Sequence, residues 1–374
     1  VNPAARAALG VVGVAVIVSV LDAAIRTFLL PRVASVRLSR AIVFVVGTVF
    51  RRVANQRCSY EQKDRRLAMY PPILLLTYQA TWLVMLLVAY AFLFMSAGAP
   101  SFGVGFQLSG SSLFTLGTQV AHGPAQVALS YVEAGTGLTL LALLIAFIPT
   151  LYGAFQRREL SVSRLTVRAG VPSTPWGIIE IAQSVGSFDR LDELWREWET
   201  WFIELRETHT TLPILSYYRT PIPGQTWVAA AASVLDSAAL FNAAIDAPAS
   251  ASAGLCIRSG WLALRGLSDY FRVPYPLQPD GTESISITRE EFEGALDHMA
   301  NSGAPVLPDR DAAWLDFVGW RVNYDAMIEE LHVRFTSPRV QWSMTLTQPP
   351  TKPSNRRGTH LRRPTVEKGS TATP

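Results

Sequence analysis

The apolar positions of this chain form a few long runs in its first half and periodic stripes in its second. Residues Ile73 to Met95 carry no charged side chain, and these 23 residues at roughly 1.5 Å each span about 34 Å, enough for a hydrocarbon core of about 30 Å. A second run, Gly135 to Phe155, ends at Gln156-Arg157-Arg158-Glu159. A third, Leu9 to Leu30, holds Asp22 and Arg26, whose i, i+4 spacing lets them neutralise each other near a helix end. That run is too long for a secretory signal and lacks a small-x-small cleavage pattern, so it predicts a membrane anchor. The shorter apolar stretch Ala41 to Phe50, flanked by Arg37, Arg40, Arg51 and Arg52, cannot span and predicts a buried or interfacial helix.

Beyond Glu159 the pattern changes to that of a soluble helical domain. Ser173-Thr174-Pro175 predicts a cap and a helix start, and Leu191, Leu194, Trp195, Trp198, Phe202 and Leu205 recur with a period near 3.6. That aromatic stripe predicts a core face. Trp227 to Ile245 is long and apolar but Ala-rich and holds Asp236 and Asn242, so it predicts a buried soluble helix. A helix over Leu255 to Phe271, a turn at Asp280-Gly281 and an extended Ser284 to Ile287 follow. Thr288 and Glu291 then form a capping box, and Asp309 caps a last helix running to about Phe335.

Charge gives orientation. Nine Lys or Arg residues, from Arg32 to Arg66, lie in the loop between the Leu9–Leu30 and Ile73–Met95 runs, the first loop in chain order, and none lies between Ser96 and Tyr131. Cytoplasmic loops carry the basic excess, so the first loop and everything after Arg157-Arg158 are expected in the cytoplasm of a multi-pass plasma-membrane protein. With 49% hydrophobic residues and a formal charge of +4 gathered near the membrane and in the tail, a lipid bilayer is the expected environment and no nucleic-acid role is implied. Cys58 and Cys256 offer no disulfide framework, the His residues are scattered, and the hydrolase, nucleotide-loop and zinc motifs are missing. The reading is therefore of a non-enzyme, with no cofactor and no metal site. Acidic residues from Glu290 to Asp311 fit helix caps and solvated faces rather than a calcium loop.

One segment carries candidate chemistry. Ser109 to Thr118, SGSSLFTLGT, lies between two membrane-length runs and holds a Thr-x-Gly turn. In a re-entrant pore loop such a turn aims backbone carbonyls at the ion path, and irregular backbone at membrane depth persists only inside protein or beside water. The same letters also read as a Ser/Gly-rich outer loop with a helix cap. From about Pro72 to Glu159 the chain resembles the two-transmembrane pore-loop potassium channel superfamily, through Phe114-Thr115-Leu116-Gly117. The resemblance implies that Thr115, Leu116 and Gly117 line a filter. Where that superfamily continues Tyr-Gly, this chain has Thr118 and Gln119, so the filter is an altered one.

The expected organisation is all-α: a transmembrane anchor at 1–32, a basic helical segment at 33–70, a pore-loop module with a re-entrant helix at 71–159, a cytoplasmic helical domain at 160–345 and a disordered basic tail at 346–374. One pore loop per chain requires four copies to ring an axis, so a homotetramer conducting monovalent cations is expected. The alternative is a non-conducting membrane sensor or scaffold on the same architecture. Pro149, inside the second pore-flanking run, is the candidate gating hinge, because proline removes a helix hydrogen bond. The junction Gly153 to Glu159 holds no Pro- or Gly-rich linker and is expected to be rigid.

Overall fold

A computed structural model describes residues 2–28, 37–54, 60–170, 173–184, 186, 188–220, 225–279, 284–338 and 342. Asp280-Gly281, Pro221, Pro223, Cys58 and the tail 346–374 lie outside them. Among the described residues the chain is helical with no strand, save one isolated antiparallel bridge between Ile245 and Val306. The first half comprises α1 (Pro3–Phe28), α2 (Arg37–Ala54), α3 (Tyr60–Ala68), α4 (Tyr70–Ser96), α5 (Phe102–Leu113) and α6 (Gly123–Ala169). Of these, α1, α4 and α6 are long and apolar enough to cross a membrane. Asp22 and Arg26 pair at 2.7 Å on α1, as their spacing requires.

Pro71 and Pro72 start α4, where a missing N–H costs nothing. Small residues then let backbones meet. A Cβ on Gly105 of α5 would fall 2.7 Å from the Ala91 carbonyl of α4, and one on Gly137 of α6 would fall 2.7 Å from the Leu113 carbonyl of α5. Close packing of this kind is how helices associate where no hydrophobic gradient drives them. Trp82, Leu86, Tyr90 and Phe94 of α4 fill the core between these helices.

The run expected to stop at Gln156-Arg157-Arg158-Glu159 instead continues as one helix to Ala169. Its buried seam, Leu140, Leu144, Phe147, Leu151 and Ala154, passes through Arg158 to Val162 and Leu165, so the same face keeps a partner beyond the charges. α6 therefore enters the second half of the fold without interruption, as the absence of a linker implies.

That half comprises α7 (Pro175–Ser184), α8 (Asp189–Thr211), a short 3-10 helix (Pro213–Tyr217), α9 (Trp227–Ala244), α10 (Ala251–Phe271), α11 (Arg289–Asn301), α12 (Arg310–Arg321) and α13 (Asp325–Arg334). The stripe from Leu191 to Leu205 on α8 is buried throughout. α9 also reaches membrane length, and its apolar surface is covered by α7, α8, α10, α12 and α13, which enclose it. Asp236 on α9 accepts from Arg321, from the Tyr324 hydroxyl at 2.9 Å and from Trp342 Nε1 at 3.2 Å, so its charge is compensated inside that core. The capping box at Thr288 and Glu291 and the Asp309 cap both form.

Two further expectations change. The last helix is two helices, because the Asn323 amide donates to the Gly319 and Trp320 carbonyls at 2.9 and 3.0 Å and so competes with the backbone N–H groups that would extend α12. Ser284 to Ile287 is irregular, with the Ser286 N–H and hydroxyl donating to Asp325 at 2.9 and 2.6 Å.

Candidate functional site

α5 is capped by Ser101 and lies against both α4 and α6. Its 12 residues span roughly 18 Å, too short to cross a bilayer. The turn that follows has a definite hydrogen-bond pattern. Thr115 N–H donates to the Ser112 carbonyl at 3.1 Å, and Leu116 N–H donates to the Ser111 carbonyl at 2.8 Å. With Thr115 at φ 53°, this is a Schellman closure of α5 in which a threonine holds the left-handed position that glycine normally takes. A β-branched residue is strained there.

Gly117, at φ 68°, supplies a second left-handed residue. The Ser111 hydroxyl then pins the far side of the loop, accepting from Gln119 N–H at 3.0 Å and donating to the Gln119 carbonyl at 3.3 Å. Gln119 does not adopt positive φ, so within this turn the strained left-handed residue is Thr115. Phe114 to Val120 are all exposed in the single chain, Leu116 at 63% and Val120 at 71%. Behind the loop, Gln126 accepts from His122 N–H at 3.1 Å and donates to the Ala97 carbonyl at 3.3 Å, tying the returning chain to the end of α4. Thr115, Leu116, Gly117, Thr118 and Gln119 are thus one exposed turn anchored at both ends. Pro149 lies far along α6, exposed, within a helix that remains continuous across it.

Two polar clusters escaped the sequence reading. The first is Glu133 on α6, fully buried, whose carboxyl bonds the Ser109 hydroxyl of α5, while that hydroxyl also lies 3.0 Å from the Leu87 carbonyl of α4. Glu133 is the only acidic residue between Asp64 and Glu159, and that isolation beside an apolar run was the available signal.

The second is Arg158, 4% exposed and expected only as a basic flank. Its guanidinium donates to the Leu215 carbonyl at 2.8 Å, to the Tyr218 carbonyl at 2.9 Å and to Glu159 at 2.6 and 2.8 Å, and it contacts His209 Nε2 at 3.1 Å. Trp201 Nε1 donates to the Arg158 carbonyl at 3.3 Å. Arg157 beside it is exposed. One side chain therefore joins α6 to α8 and the 3-10 helix. Burial, then the neighbouring Arg158 charge, hold His209 well below the usual histidine range.

Compared with known proteins, the chain matches no family model, no curated protein and no solved structure at the significance required.

Proposed function

We propose that this chain is a multi-pass membrane protein whose α4, α5 and α6 form a pore-loop unit, and that four copies assemble into a cation channel. One observation carries the reading. α5 is too short to span, lies wedged between two membrane-length helices, and ends in an exposed turn, Phe114 to Val120, that mixes apolar side chains with polar and backbone groups. A helix carboxyl end presents its last carbonyls and the negative pole of its dipole, which favours a cation over an anion at that turn. Exposed apolar residues on α6, among them Leu138, Leu141, Ile145 and Ile148, supply surface for lipid and for neighbouring copies.

On this reading the turn Thr115 to Gln119 borders the ion path, α1 is an anchor, and the helical body from α7 onward lies in the cytoplasm on the side of the basic loop. A second reading, a non-conducting sensor or scaffold, draws on the Schellman closure, which commits the Thr115 and Leu116 N–H groups and part of the turn to ending α5. Purified full-length protein in liposomes, assayed for monovalent-cation flux alongside native mass spectrometry, separates the two. Flux from a tetramer supports the channel. A tetramer or smaller assembly without flux in any monovalent cation gradient overturns it in favour of the scaffold.

A further inference from the structure

The Ser109 hydroxyl has one proton and two acceptors to satisfy. The Leu87 carbonyl, 3.0 Å away, can only accept, and on the other side stands the Glu133 carboxyl. If Ser109 donates to Leu87, its oxygen still has lone pairs free, and the contact with Glu133 is a hydrogen bond only when Glu133 is the donor. A carboxyl donates only when it carries a proton. If Glu133 were ionised instead, Ser109 would turn to it, and the Leu87 carbonyl would lose that partner while a carboxylate sat fully buried.

The surroundings favour the protonated arrangement. Glu133 is completely enclosed, and its second oxygen, Oε2, meets no hydrogen-bond partner. Tyr90 on α4 is the titratable neighbour, and its hydroxyl is 3.2 Å from Thr136 Oγ1, one turn along α6. Among the described residues, no ion pair to Glu133 is found. An unpartnered carbonyl oxygen of a neutral acid costs far less than an unpaired buried carboxylate.

We infer that Glu133 is a proton-binding site that ties α5 to α4 and α6 through a relay from its carboxyl to Ser109 to the Leu87 carbonyl. The bound species is a proton, and holding it keeps α5, and with it the Thr115 to Gln119 turn, seated. Removal of the proton reverses the direction of the Ser109 bond and frees Leu87, which loosens α5 from α4. This inference stands without the channel reading, since both of its readouts are made on the protein with no ion gradient.

The test is infrared spectroscopy and thermal unfolding of the purified full chain, comparing the parent with Glu133→Gln and Glu133→Ala. At neutral pH the parent is expected to show a protonated-carboxyl band that disappears in both variants. Glu133→Gln, neutral and able to donate from its amide, is expected to keep the parent unfolding temperature near neutral pH and to exceed it in strongly alkaline buffer. Glu133→Ala is expected to unfold several degrees lower at both. No protonated-carboxyl band lost on substitution, or a Gln variant as unstable as the Ala variant, would overturn the assignment.

Discussion

Arg158 Nη1 lies 3.1 Å from His209 Nε2, and because a guanidinium can only donate, the imidazole presents a lone pair there. His209 is therefore neutral, with its proton on Nδ1, which faces the Thr208 hydroxyl at 3.0 Å. Protonating Nε2 would set two cations face to face in a site without water exposure. The contact sits where α6 meets the helical body, so it links the protonation of one residue to the integrity of that joint.

A pH dependence follows with a definite sign. The folded-state pKa of His209 is depressed, so above about 6.5, the ordinary value, neither folded nor unfolded chain is protonated there. As the pH falls below that value the unfolded chain takes up a proton that the folded chain refuses, and stability falls by up to about 1.4 kcal/mol per pH unit. His209→Gln can still accept from Arg158 and does not titrate. Unfolding midpoints between pH 7 and pH 5 should fall more steeply for the parent than for this variant, and parallel slopes would refute the assignment.

Arg158 itself should tolerate nothing smaller. Arg158→Met takes one donor from the Leu215 carbonyl, which keeps the Tyr218 N–H, removes the donor to the Tyr218 carbonyl and leaves Glu159 without its partner, and breaking a buried pair this way costs roughly 3–5 kcal/mol. Arg158→Lys keeps the charge but cannot direct bonds to four acceptors from one plane, so it should recover only part of the loss. Denaturant titration followed by tryptophan fluorescence, with Trp201 bonded to the Arg158 carbonyl, reports both.

Thr115 gives a prediction of opposite sign. A residue with a Cβ at positive φ costs roughly 1–2 kcal/mol, and glycine recovers this less the entropy it gains in the unfolded chain, about 0.5–1 kcal/mol. Thr115→Gly should therefore raise stability by about 0.5–1 kcal/mol, while Thr115→Ala, which keeps the Cβ, should not. Equal midpoints for the two variants would show that the left-handed turn is not held in solution.

The helix ends and stripes were legible because they are local. Thr288 with Glu291, Asp309, and the face from Leu191 to Leu205 each declare themselves within a few residues, and the length of Ile73 to Met95 needs no context. The turn at Thr115 was found from its letters, although its hydrogen bonds could not be. What escaped depends on distant partners. Arg158 is buried only because Leu215 and Tyr218, 57 and 60 residues away, fold back to receive it, and a basic residue after an apolar run otherwise reads as a membrane flank. Glu133 pairs with Ser109 across 24 residues, and Asn323 ends α12 through a side-chain bond that propensity does not show.

Pro149 supplies the last prediction, which rests on the proposed channel. Its ring leaves the carbonyl a turn earlier, at Ile145, without the amide that would normally reach it, and the Thr150 hydroxyl offers only a 3.5 Å contact to Ala146. α6 remains continuous there and Pro149 is exposed, so Pro149→Ala removes no packing and restores one backbone hydrogen bond. The variant should be at least as stable as the parent. If the inner end of α6 swings about this point to open a path, the restored bond stiffens the helix and shifts the open probability of reconstituted protein. A variant that assembles, conducts and opens as often as the parent would make Pro149 a fixed feature of the helix with no part in gating.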